Sequence, residues 1–348
     1  VGLLLTNAYH LMLRPGLEAI TALGGLHRFM AWDGPIVSDS GGYQVFSLAR
    51  LVKVSEEGVV FRSHIDGSRH SLSPEAAVAL QEGLGADVIM ALDQPTAYGV
   101  GREEVDGEAQ RTARWAVRCL RAHRGGGELW GIVQGGTFAD LRRQSAEHMA
   151  SLAFPGFAIG GLCLGESREE MWQMVEASVA PLPTASPRYL MGVGSPEELV
   201  EGVSRGVDLF DSALPTRIAR NGSLFTGQGR INIGNSRFQQ HEAPVEDGCP
   251  CYTCRTYSAA YLSHLFRTGD TLGLRLATLH NLTFIMGLMA RIRDAIQQGT
   301  FPRFRQEFLA GYRPTDEAVR LARRRQVGSG RTGVRAVGRP TCRPSAGR

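Results

Sequence analysis

The stretch "VDLFDSALPTR", Val207 to Arg217, decides the reading of the whole chain. An apolar run of strand type, Leu209-Phe210, closes on an aspartate and then on a Pro-Thr-Arg turn. A carboxylate at the end of a buried strand is costly unless that end opens onto a site, so the question is what surrounds Asp211. The same motif, a short β-rich apolar run ending in small or polar residues and leading into a helical stretch, recurs along the chain. It appears at Gly2-Tyr9, Pro35-Ser40, Asp87-Asp93, Leu129-Gly135, Gly156-Leu162, Tyr189-Gly194 and Asp208-Leu214. Helices are expected between these runs at Pro74-Leu84, Glu103-His123, Ala139-Leu152, Arg168-Val179 and Pro196-Arg205, several of them opened by a Ser, Thr or Pro start signal.

Alternating strands and helices call for a parallel sheet, and about eight such units close a barrel. The expected fold class is therefore α/β, a (β/α)8 TIM barrel. Seven units are found and Val1 already stands at the head of a strand, so the first strand is expected to be missing from this chain. A doubly wound open sheet is the alternative. In a parallel barrel the C-terminal strand ends surround the active site. Asp39, Asp93, Gln134, Gly160-Gly161, Met191-Gly192 and Asp211 all stand at such ends and are expected to face one mouth.

After the last strand the pattern changes. A Gly/Asn-rich segment of short strands (221–238) leads to a cysteine cluster and then to a helical stretch from about Ser258 to Gln298. The expected division is a barrel core over 1–220, a zinc-binding subdomain with closing helices over 221–313, and an Arg/Gly-rich disordered tail over 314–348. That tail holds nine arginines and no acid from residue 318 onward, so the rest of the chain carries 29 basic against 34 acidic residues despite a formal net charge of +4. A polyanionic partner of the body must then be held by a local patch and not by an overall basic field. Neither a secretory leader nor an uninterrupted apolar run of about 18 residues is visible, so the cytosol is expected, with no membrane.

Of six cysteines, Cys249, Cys251 and Cys254 sit within six positions, which is metal-ligand spacing and not a disulfide framework. With His280 they offer four ligands for a closed, structural Zn2+ site; His241 and His264 compete with His280 for the fourth place. Asp211 and Asp39, the latter in "SDSGG", each read singly as turn or capping aspartates. Together, at separate strand ends of one barrel, they offer a nucleophile and an acid/base for displacement at an anomeric carbon. The glycine-rich "AIGGLCLGE" and "LMGVGSPEE" do not fit a dinucleotide fingerprint; glycines at a barrel mouth instead let a flat ligand approach the backbone. Tyr43, beside Gly41-Gly42, could stack on such a ligand. Arg217 and Arg220, three apart after Asp211, suit nucleic-acid phosphates or base edges, or else a solvated loop.

These residues resemble the tRNA-guanine transglycosylases in their bacterial form. The resemblance is carried by "NAYHLMLRPG", "SDSGGYQVFSL", "VIMALD", "GIVQGG", "AIGGLCLGE", "RYLMGVGSPEELVEGVSRGVDLFDSALPTRIARNG", "CPCYTCRTYSAAYLSHL" and "LATLHNL", and covers roughly residues 1 to 310. It implies exchange of the wobble guanine of tRNAs with a G-U-N anticodon for 7-aminomethyl-7-deazaguanine, on the route to queuosine. It implies that Asp211 is the nucleophile on the ribose and Asp39 the general acid/base. Asp93, Gln134 and Gly161 match residues reading the guanine-like edge, Leu162 and Met191 base-pocket positions, and Tyr43 the stacking ring. Arg217 and Arg220 match arginines holding the flanking uridines. Cys249, Cys251, Cys254 and His280 match the zinc ligands, and a homodimer built partly through the zinc subdomain is implied.

The chain departs from the bacterial pattern in two pocket positions. Pro95 stands where a pocket cysteine is usual, and Leu164 where bacterial members tend to have Val and queuine-using ones Gly. A bulky residue at 164 is expected to exclude the cyclopentenediol of queuine. Two rivals share the barrel: a non-catalytic partner subunit, against which the retention of both aspartates speaks, and a glycoside hydrolase using the same carboxylate pair.

Overall fold

The computed structural model describes residues 2–322. Seven short strands, Leu4–Thr6, Ile36–Ser38, Val88–Met90, Glu128–Val133, Phe157–Ile159, Arg188–Leu190 and Leu209–Phe210, form one parallel sheet whose spatial order follows the sequence. Every neighbouring pair is parallel, from Leu4 opposite Ile36 at one edge to Phe210 opposite Leu190 at the other. The sheet curls into a nearly closed, incomplete TIM barrel. Each of the seven expected runs overlaps one of these strands, and Glu128–Val133 and Arg188–Leu190 begin one residue before the expected run.

Alternation along the strands separates two apolar layers. Val37, Met90, Trp130, Ile132, Ala158 and Tyr189 point to one side and form the barrel interior. Ile36, Ile89, Leu129, Val133 and Phe157 point to the other and pack with the surrounding helices through Ala77, Val78, Leu84, Trp115 and Met149. The expected helices stand at Pro74–Leu84, Arg102–Ala122, Ala139–Ser151, Arg168–Val179 and Pro196–Ser204. Ser73 and Ser167 cap the first and fourth of these by accepting the backbone N–H of Ala76 and Glu170.

Every expected run extends past the end of its strand, and at the first and the last a cap explains where the strand stops. The first strand stops at Thr6 because the Asn7 side chain accepts the His10 N–H and opens the helix Ala8–Leu13. The last stops at Phe210 because Ser212 accepts the Leu214 N–H and Pro215 occupies the first turn of the helix Leu214–Ala219. An antiparallel sheet of Arg50–Val54, Val59–Arg62 and Arg69–Leu72 stands between the second and third barrel strands. Its buried positions, Val59, Phe61 and Leu72, alternate with more exposed ones such as Val60 and Ser71, a weaker signal than the continuous runs of a strand buried on both faces.

Beyond the barrel, Ser223–Thr226 pairs antiparallel with Gly229–Asn232, followed by the cysteine cluster and the helices Tyr252–Thr256, Ala259–Thr268, Thr271–Gln297 and Phe301–Gly311. Thr271–Gln297 is the one helix among the described residues long and apolar enough to cross a membrane. Here it joins two cores. Leu276 and Ala277 pack with Leu224, Ile233 and Leu262, whereas Ile285, Leu288 and Ile292 pack with Leu199, Val200 and Ile218 of the barrel's last units.

The disordered tail expected from residue 314 meets a different outcome over its first nine residues. Residues 317–322 are helical and Arg320 is buried, because an ion-pair network with Arg168, Glu198 and Glu317 offsets the scarcity of apolar residues. The remainder of the tail, with its eight further arginines, lies outside the described residues.

Candidate active site and metal centre

The C-terminal strand ends gather the acidic residues at one mouth. Asp39 follows Ser38, Gln134 follows Val133, Gly160 follows Ile159, Met191 follows Leu190 and Asp211 follows Phe210; Asp93 stands three residues beyond Met90. Asp39 is clasped by its neighbour strand's exit: Asn7 Nδ2 donates to Oδ2 at 2.7 Å, and the Ala8 N–H donates to Oδ1 at 2.9 Å. The Gly41 N–H adds a third bond at 3.1 Å. Burial nevertheless pushes the Asp39 carboxyl up to about 7, against the Ala8 and Gly41 N–H donors and with help from the nearby charges of Asp211 and Asp93. That mutual repulsion places the three carboxylates in one electrostatic site.

Asp211 is held from the adjacent strand. Tyr189 Oη donates to Oδ1 at 2.7 Å and the Gly192 N–H donates to the same oxygen at 2.9 Å. Both bonds fall on Oδ1, which leaves Oδ2 for a ligand.

Asp93 is fully enclosed. Gln134 Nε2 donates to Oδ2 at 2.6 Å and Ser40 Oγ to Oδ1 at 3.2 Å, while burial raises the carboxyl to about 6. Because a carboxylate accepts only, Gln134 must present its NH2 to Asp93, and its Oε1 is buried without a hydrogen-bond partner. Gly161, at φ +68°, lies over this amide; a Cβ there would stand 2.3 Å from Gln134 Oε1, so only glycine leaves the acceptor accessible.

The remaining expected residues divide. Tyr43 is exposed on the first turn of the helix Gly42–Leu48, at the same mouth as Asp39. Met191 packs against the barrel interior below Asp211. Leu162 is buried with Met171, Trp172 and Val175, so it supports the pocket loop from behind. Arg217 and Arg220 are exposed and sit on the helix Leu214–Ala219 and at its C-cap, where a spacing of three puts them on one face, in place of the solvated loop that the turn residues suggested. Sequence reasoning missed Asn7, Ser40, Tyr189 and the donor role of Gly192, since each acts from a neighbouring strand. Only Asn7 had a local signal, as a cap residue directly before a helical run.

Cys249, Cys251, Cys254 and His280 bring their ligand atoms within 4.8 Å of one another. His280 Nδ1 lies 3.8, 3.6 and 3.3 Å from the three sulfurs, near the roughly 3.6 Å that a tetrahedral zinc with ordinary Zn–S and Zn–N bonds imposes on such a pair. His280 Nε2 donates to the Phe225 carbonyl at 2.7 Å, which fixes the tautomer and leaves Nδ1 as the ligand atom. The donor set fits Zn2+, and four protein ligands make the site structural. His241 and His264 do not belong to the cluster. The neighbouring Asn281 accepts the Phe225 N–H and donates to the carbonyls of Ser223 and Pro215, so the metal region is tied to the helix that follows Asp211.

Comparison with known proteins agrees with this geometry. A family model described as "Queuine tRNA-ribosyltransferase" matches residues 1–314. Among curated relatives, the queuine tRNA-ribosyltransferase of a Dehalococcoides mccartyi strain is 52% identical over 334 residues, covering 96% of this chain and 85% of the relative. That of Symbiobacterium thermophilum is 53% identical over 94% of this chain and 82% of its own length, and that of Pelotomaculum thermopropionicum 55% identical over 89% and 84%. The chain belongs to the queuine tRNA-ribosyltransferase family.

Proposed function

We propose that the barrel mouth performs base exchange at the wobble position of tRNA: guanine of a G-U-N anticodon leaves and 7-aminomethyl-7-deazaguanine enters, as a step of queuosine biosynthesis. The observation that carries the reading is the pair of carboxylates with opposite preparation. Asp39 has its carboxyl raised to about 7, whereas Asp211 is anchored through one oxygen and free at the other.

In the first half-reaction Asp211 Oδ2 attacks C1′ of the ribose, the bond from C1′ to the base breaks, and Asp39 gives its proton to the departing guanine. An aspartyl ester of the tRNA results. In the second half the incoming base delivers a proton to Asp39, its ring nitrogen bonds to C1′, and Asp211 is released as the carboxylate. Asp93 and the orphaned Gln134 Oε1 accept the N–H groups of the guanine-like edge, and Tyr43 stacks on the ring. To reach them the nucleotide turns out of its loop, with Arg217 and Arg220 holding the neighbouring uridines. Bound Zn2+ supplies structural cross-linking remote from the reacting atoms.

The same reading places the catalytic core in 1–220 and the zinc subdomain with its closing helices in 221–313, and takes the working unit as a cytosolic homodimer. The deciding experiment is release of labelled guanine from a G-U-N tRNA on addition of 7-aminomethyl-7-deazaguanine, with Asp211→Asn as control. Release by the parent and at least about 10^3-fold less by the variant is expected for loss of a covalent nucleophile. Equal release by both would overturn the assignment of Asp211.

A further inference from the structure

The turn that carries the base pocket is held by a segment beyond residues 1–314, the part that the family model matches. Glu166, 1% exposed, folds its carboxylate back onto its own loop and accepts the N–H groups of Cys163, Leu164 and Gly165, the last two at 2.9 and 3.0 Å. The loop needs this clamp, since Cys163 holds a left-handed φ of +65° that a side chain disfavours. Gly161 and Glu166 line one small cavity with Thr96, Tyr98, Gly136 and Phe138, so the clamp and the base-reading edge share a wall.

Residues 315–320 grip this turn from outside. Arg320 Nη2 donates to the Glu166 carbonyl at 3.2 Å, and its Nε pairs with Glu317 at 3.0 Å and lies 3.9 Å from Glu198. Glu317 accepts the Arg168 backbone N–H at 2.9 Å and pairs with its guanidinium at 2.7 Å; Arg168 also donates to the Thr315 carbonyl at 3.1 Å and pairs with Glu197 at 2.9 Å. Glu197, Glu198 and Arg320 are all less than a tenth exposed. Buried charges of this kind persist only when paired, so the two arginines and three glutamates stand or fall together.

We propose that residues 315–322 are a latch on the base pocket, in which Arg320 is a positioning residue: by fixing Glu166 it keeps the 161–165 turn in the conformation that binds the incoming base. The proposal rests on the transglycosylase reading above. It assigns this part of the chain a role in base affinity and not in tRNA contact.

The test compares the full chain with Arg320→Met and, as a second variant, Glu317→Gln. Hydrogen exchange is followed by mass spectrometry on peptides spanning 160–167, with the helices Ala139–Ser151 and Thr271–Gln297 as internal reports on folding. Faster exchange confined to 160–167 is expected, together with a rise of about fivefold in KM for 7-aminomethyl-7-deazaguanine at unchanged kcat and unchanged KM for tRNA. Unchanged exchange at 160–167 in both variants overturns the latch. Faster exchange with an unaltered KM for the base also overturns it, as does a rise in the tRNA KM alone, which would make the segment an RNA contact. Failure of the unaltered chain to exchange guanine would overturn the functional reading, and is read separately because the hydrogen-exchange arm needs no turnover.

Discussion

Tyr189 donates its phenolic proton to Oδ1 of Asp211 at 2.7 Å, from a strand directly paired with the one that ends in that aspartate. Leu190 lies opposite Phe210 in the register, so the tyrosine reaches across one strand spacing to steady the carboxylate. Burial together with the Asp211 charge raises the phenol well above its ordinary range, so the proton stays on Tyr189 at any working pH. Tyr189→Phe removes one of two donors on Oδ1. Loss of a hydrogen bond to a charged group predicts kcat lower by about 10- to 100-fold with little change in KM for tRNA, measured in the guanine-exchange assay. An equal fall in affinity for tRNA would place the tyrosine in RNA binding instead.

The acid/base role of Asp39 has a pH signature. Its carboxyl is raised to about 7, so the protonated form needed by the departing guanine is present below that pH and is lost as pH rises through it. The initial rate of guanine displacement at subsaturating tRNA is expected to fall above about pH 7, approaching tenfold per pH unit, and Asp39→Asn should be both slow and flat across that range. A profile unchanged by the substitution would assign the titration to another group.

Metal removal tests the closed site. Each chain is expected to carry one zinc by elemental analysis, and Cys254→Ser to lose it. Because His280, Asn281 and Phe225 connect the ligands to the hairpin and to Pro215, the variant should unfold at a temperature lower by about 5 °C or more. Full metal content with an unaltered melting temperature would remove Cys254 from the ligand set.

Leu164 tests substrate choice. It stands in the turn clamped by Glu166, and its bulk is expected to exclude queuine. Leu164→Gly should therefore gain queuine incorporation while retaining the aminomethyl precursor, read as the ratio of the two kcat/KM values. Parent enzyme that inserts both bases with comparable efficiency would contradict this.

Much of the barrel could be read locally. The inner strands are short, mostly apolar runs because both faces are covered, by interior residues such as Met90 and by helices against Ile89. That continuity marks a buried parallel strand without any knowledge of its neighbours. The antiparallel sheet 50–72 escaped because its alternating positions dilute the signal, and the placed part of the tail because its order comes from Glu198, Glu197 and Arg168, more than a hundred residues away.

The order of units along the chain, the aspartates at strand ends and the Cys-x-Cys-x2-Cys spacing are properties of the sequence itself, since strand periodicity and short ligand spacing are encoded within a few residues. Tertiary structure alone decided which groups hold those aspartates: Asn7 on Asp39, Tyr189 on Asp211, Gln134 and Ser40 on Asp93. It also selected His280 over His241 and His264 as the fourth ligand. The reason is physical. A carboxyl group acquires its proton affinity, and a metal site its closure, from atoms within a few ångströms in space, and in a parallel barrel those atoms arrive from neighbouring strands that lie 20 to 55 residues away in sequence.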